Sequence, residues 1–195
     1  DLTYIGVIDF YAVGEEEKFI MLTNPVHTLP LTGVTEDLPW HIVLNPAVPL
    51  DLEINVGVGR DNVFDFTGLE FGELLINTGV ADTHVTLPVG GLSYLAGIHG
   101  GAGNVTVVIP TGAAASLDIS GGVGAITLEL GEEAVVRLEA SWGVGGVTVP
   151  DRFQQVSLRA GIVGGEGVWQ TPHFDRAERQ VIITYHGGVG NLTVR

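Results

Sequence analysis

The chain's 195 residues, 45% of them hydrophobic, suffice for one sizeable core or one elongated repeat array. A formal net charge of −15, with Lys18 and seven arginines as the only permanent cations, excludes nucleic acid as a partner, because that binding needs clustered bases. The absence of cysteine removes disulfides, thiolate nucleophiles and cysteine metal sites, and no run of about 18 apolar residues is present to span a membrane.

Residues 1–49 read as a β cap. An apolar run from Tyr4 to Val13 is followed by an acidic turn at Glu15–Glu17, a second run from Phe19 to Leu22 and a proline-punctuated stretch ending at Pro46. No basic-then-apolar leader precedes them, and because the first residue is Asp1 rather than Met, an anchoring or targeting segment is expected upstream. Charge is concentrated early: residues 1–98 carry 14 acids against two bases, and 99–195 carry nine against six. That balance supports solubility and points to a cationic partner near the first half.

From residue 50 onward a comb of glycines organises the chain. Gly57, Gly79, Gly101, Gly122, Gly143, Gly165 and Gly188 stand 22, 22, 21, 21, 22 and 23 residues apart. Three residues before each comb glycine stand Ile54, Ile76, Ile98, Ile119, Ala140, Ile162 and Tyr185; one residue later the column turns polar in six of seven cases, from Asn55 to His186. This is the alternation of a strand with one buried face. After the glycine the pattern repeats, with apolar residues such as Val105, Ile126 and Leu192 at plus four and a polar column of His84, Thr106, Thr127, Thr148, Gln170 and Thr193 at plus five. Each repeat therefore holds two strands. Gly57-Val58-Gly59-Arg60-Asp61-Asn62 carries one extra residue before Phe64, which predicts a bulge in the first repeat.

Between the strands lie Gly-Val-Gly elements or variants of them, such as Gly122-Val123-Gly124, read as corners whose valines stack inward. A strand rather than a helix N-terminus follows each one, which argues against a phosphate loop. Pro88, Pro110, Pro150 and Pro172 mark the ends of second strands. The expected fold is all-β: a right-handed parallel β-solenoid of about seven coils, occupying 50–195, with the β cap segment at 1–49. An antiparallel sandwich or barrel is the alternative, but it does not call for matching columns. The final repeat, ending at Val194-Arg195, reads as a bare last coil that either the N-terminal segment or another chain must cover, and a homodimer through that coil is expected.

Trp40 to Gly59, followed by Phe64-Asp65-Phe66-Thr67-Gly68-Leu69 and Ile76-Asn77-Thr78-Gly79-Val80, resembles the toastrack family. That family includes the C-terminal regions of LiaF-type cell-wall-active antibiotic response proteins and related adhesin domains. The resemblance implies a bacterial envelope protein held beside a membrane or lipid anchor, with no catalytic site to carry over.

Candidate chemistry is sparse. His27, His41, His84, His99, His173 and His186 are the available imidazoles, but their scatter does not suit three or four converging zinc ligands. His173 to Arg179 is a charged insertion, expected as a solvated loop. Asp118 and Glu139 occupy one outward position on successive repeats, but Gly97 and Gly161 interrupt any groove of facing carboxylates such as glycan cleavage needs. A single threonine rank does not make an ice-binding face, and no aspartate recurs at a calcium-repeat offset. No catalytic, cofactor or metal residue is assigned. The expected function is a non-enzymatic interaction or structural module of the cell envelope or extracellular space, serving adhesion or envelope stress and engaging a protein or cell-surface partner. The alternatives are a self-assembling structural solenoid and a carbohydrate-active β-helix enzyme.

Overall fold

The computed structural model describes residues 9–14, 19–23 and 41–195, and the chain divides into two units, Asp1–Leu44 and Asn45–Arg195. In the first unit, β1 (Asp9–Val13) and β2 (Phe19–Thr23) pair antiparallel with Tyr11 opposite Met21, within the two apolar runs of the sequence. The acidic turn between them, Tyr4 to Ile8, His27 and Trp40 lie outside the described residues.

The second unit contains β3 (Leu50–Asp65), β4 (Phe71–Thr86), β5 (Tyr94–Ala102), β6 (Val105–Ile109), β7 (Ala115–Val123) and β8 (Ile126–Leu130). They are followed by β9 (Val136–Thr148), β10 (Gln154–Ala160), β11 (Gly165–Gln170), a short 3-10 turn at Phe174–Arg176, and β12 (Val181–Val194). Alternate residues face one interior. Leu74, Ile76, Ile98, Leu117, Ile119, Leu138 and Ile183 on the leading leg, and Val85, Val107, Ile126, Leu128 and Leu192 on the trailing leg, are each at most 2% exposed. These are the apolar columns of the repeat, brought into register strand by strand: Ile54 aligns with Ile76, Ile76 with Ile98, and Ile98 with Ile119. The extra residue of the first repeat appears as a bulge between Val58 and Asp61, where the pairing with β4 shifts by one.

An open solenoid of seven successive coils is not what forms. Two parallel paths leave β4, one through β5 and β7 and the other through β6 and β8, and both arrive at β12. Six strands thus close into a parallel β-barrel, with β3 added beside β4 and β9, β11 and β10 added beyond β12. Closure is possible because β4 and β12 run uninterrupted through the corner and pair along both legs, whereas the third and fourth repeats are each broken into two short strands.

Strand order corrects a second expectation. The last repeat is not a bare end: β12 lies between β7/β8 and β9, with residues from Val181 to Thr193 paired to β9 and Val181 to Val194 paired along β7 and β8. The premise of a homodimer through an uncovered last coil therefore fails. The sixth repeat also departs from the comb. β10 and β11 form an antiparallel hairpin closed by Gly161 N donating to Gly164 O at 2.9 Å, and Ile162, expected inward, lies at its fully exposed tip. β11 itself runs antiparallel to β9.

At the corners of Gly79, Gly101, Gly122, Gly143 and Gly188, a neighbouring backbone approaches too closely for any side chain. A Cβ on Gly79 would overlap the Gly57 carbonyl, and one on Gly124, whose φ is +142°, would overlap that of Gly103. The valine between the paired glycines is consequently turned outward. Val58, Val80, Val123, Val144 and Val189 are 50–83% exposed, so the expected inward stack is instead a surface ridge.

Candidate functional site

The outward face of the leading leg is built from β3, β4, β5, β7, β12 and β9, in that spatial order. Because these strands are parallel and in register, each outward position becomes a row crossing all six. One row reads Asp51, Glu73, Leu95, Ser116, Ile182, Arg137; the next Glu53, Leu75, Gly97, Asp118, Thr184, Glu139; and the third Asn55, Asn77, His99, Ser120, His186, Ser141. Past the comb glycines runs the corner ridge of Val58, Val80, Ala102, Val123, Val189 and Val144. At roughly 4.8 Å per strand the rows extend about 24 Å.

Neighbouring rungs bond to one another. Asn77 Nδ2 donates to Asn55 Oδ1 at 2.8 Å, Asn55 Nδ2 donates to Glu53 Oε1 at 2.8 Å, and the Glu73 amide donates to Asp51 Oδ1 at 3.0 Å. At the opposite end Arg137 Nε donates to Glu139 Oε1 at 2.8 Å and its Nη1 reaches Gln170 Oε1 at 3.3 Å. The face thus carries five carboxylates (Asp51, Glu53, Glu73, Asp118, Glu139) against one guanidinium, which is itself engaged with the last of them.

The middle of the face is a shallow groove of about 360 Å³ centred on Gly97. Leu75, Leu95 and Ile182 supply apolar walls, while Glu73, His99, Asp118 and Thr184 supply polar ones. A Cβ at position 97 would come within 2.9 Å of Leu75 Cδ1 and 3.0 Å of His99 Nε2, so glycine is what leaves this depression open. Gly97, expected to interrupt a groove of facing carboxylates, brings no acid to its row and leaves a depression there. The signal in the sequence is a glycine in an outward column, away from the corners.

The histidines do not converge. His84 lies on the trailing leg, whereas His99 and His186 lie on the leading leg in strands separated by β7. Among the described residues no group of three metal-ligating side chains occurs. His99 Nε2 stands 4.0 Å from Asp118 Oδ1, and Ser141 Oγ stands 2.9 Å from His186 Nδ1. A serine nucleophile needs a base that a third group orients. Ser141 also donates to Tyr185 O at 3.3 Å, and among the described residues no carboxylate bonds to His186, so the pair is a rung contact.

The charged insertion at 173–179 is exposed at His173, Asp175, Arg176 and Glu178, as expected of a solvated loop, but it is also anchored. Phe174 is buried, and the Arg179 guanidinium donates to the carbonyls of Val89 at 2.7 Å, Gly90 at 2.7 Å, Gly91 at 3.1 Å and Gly112. Spacing alone gives no sign of this, because the acceptors are backbone atoms about 70 to 90 residues away.

A solved structure of a candidate cell adhesion protein from Clostridium sporogenes ATCC 15579 superposes with a TM-score of 0.57, covering 96% of this chain and 74% of that one at 17% identity. It shares the fold. No match was found among curated proteins. Among the described residues no helix is long and apolar enough to cross a membrane. The family model for the N-terminal domain of toast_rack, DUF2154, matches residues 10–108, half of the chain. The chain belongs to the toast_rack N-terminal domain family.

Proposed function

We propose that the protein is a non-enzymatic interaction module of the cell envelope or extracellular space, and that the outward face of its leading leg receives a basic segment of a protein or cell-surface partner. The observation that carries this reading is the groove at Gly97, where leucine and isoleucine side chains lie between carboxylates with no lysine or arginine in the lining. Apolar walls reward burial of aliphatic stems, and the surrounding acids select cationic heads. The face is flat and open, which suits an extended chain crossing several strands rather than a small molecule enclosed on all sides. Family membership and the adhesion description of the Clostridium sporogenes neighbour support an envelope setting.

The test is titration of the 195-residue protein with an amphipathic lysine-containing peptide and with its glutamate-containing counterpart, at two salt concentrations. Binding is expected for the basic peptide only, weakening as salt rises, and dropping by about tenfold in Glu73→Lys. Equal binding of both peptides, or no effect of Glu73→Lys, contradicts the reading.

A further inference from the structure

Sheet order and chain order disagree at one telling place. β9 follows β8 through residues 131–135, a connection as short as the 110–114 link through which β6 leads to β7, the pairing partner of β5, yet β9 does not pair with β7 or β8. The last repeat occupies the space between them. Removing β12 in thought leaves a parallel slot with an unpaired edge on each side, and the occupant is bonded to both along almost its whole length.

The slot selects its occupant sterically. A Cβ at position 188 would overlap the Gly122 carbonyl and one at 190 the Gly124 carbonyl, so only a strand with glycine at both places enters. That strand must also present buried apolar side chains where Val181, Ile183, Tyr185 and Leu192 stand. Other repeats of this chain, such as that of Gly143 and Gly145, carry the same glycine pair and come near both conditions. β12 of a second copy satisfies them by identity.

One linker holds the native arrangement. Residues 171–180 carry the chain from β11, on one side of β9, to β12 on the other, and contain His173 at φ +64°, a left-handed conformation uncommon for a side-chain-bearing residue. Straightened, ten residues reach roughly 33 Å, enough to deliver β12 to a neighbouring molecule. Arg179, at the end of this linker, fastens it to the 89–91 and 112 carbonyls. Strained connections of this kind favour exchange of identical elements, because the bonds given up within each chain re-form between chains.

We propose that the space between β7/β8 and β9 is a strand-acceptor site, that its partner is β12 of a second copy of this chain, and that reciprocal exchange yields dimers with Arg179 as the latch. The chain's lack of cysteine permits a direct test. Ile182 and Ser116 are exposed register partners on β12 and β7, so Ser116→Cys combined with Ile182→Cys places two thiols side by side. The double variant is partly unfolded, refolded at increasing protein concentration, oxidised and sized under non-reducing denaturing conditions, with peptide mapping of the bond. The expected result is a bond within one chain at low concentration and a doubly linked dimer, joined 116 to 182 across chains, that grows with concentration and rises several-fold in an Arg179→Ala background. A bond that stays within one chain at every concentration, in an Arg179→Ala background whose circular dichroism shows it folded, overturns the proposal. So does a dimer formed equally well by Ser116→Cys alone.

Discussion

Gly57 and Gly79 occupy the same position in successive repeats, but their surroundings differ. A methyl group on Gly79 would overlap the Gly57 carbonyl, whereas one on Gly57 would meet nothing within 4 Å among the described residues, because β3 pairs with β4 on one side only. Gly79→Ala is therefore expected to lower the unfolding free energy by about 2 kcal/mol through forced backbone separation. Gly57→Ala should change it by less than about 0.5 kcal/mol, or raise it slightly through reduced unfolded-state freedom. Urea midpoints of the two variants check this. A second prediction concerns the buried phenols. Burial pushes the Tyr94 and Tyr185 hydroxyls above the ordinary phenol value, so the folded state resists ionisation that the unfolded chain accepts at about pH 10. Their contribution to stability is complete below that pH and is lost as the pH rises through the folded values. Melting temperatures should fall above about pH 10, and more gently in Tyr94→Phe with Tyr185→Phe; a fall of the same steepness in that variant would assign the effect to other groups.

At the scale of the element, register is what the sequence makes legible. The alternation around the comb glycines, the sixth repeat excepted, identifies which side of the leading and trailing strands faces inward, and a single surplus residue before Phe64 locates the bulge at Val58–Asp61. The corner valines escape such a reading because a Gly-Val-Gly triplet says that the backbone turns but not on which side the middle residue emerges. The overlapping carbonyls force that residue outward. The sixth repeat escapes it for another reason: its glycine matches the comb, but Gly161 and Gly164 bracket a two-residue turn that folds β10 back on β11 before the strand can lie beside β9 as a coil. Of the candidate site, the outward rows are readable from the alternation. The groove is not, since its depth depends on which strands become neighbours. The latch at Arg179 is equally hidden, because its acceptors are carbonyls and carry no residue signature.

For the whole molecule, identical columns explain both why the buried faces are legible and why a solenoid is the wrong inference. Repeats that share one code are interchangeable in register, so periodicity cannot say which repeat lies beside which; β12 fits against β7 as well as β9 would. Closure of the six-stranded ring through β12, and the six-strand outward face that runs across it, both follow from that choice of neighbour. Amide hydrogen exchange resolved along the chain tests the arrangement most directly, because a strand bonded on both edges opens only with the surrounding sheet. Amides of residues 182–193 are predicted to exchange in the slowest class, and those of 154–160 in β10, exposed throughout and paired on one side, in the fastest class of the repeat region. Exchange of β12 as rapid as that of β10 would contradict its placement inside the sheet.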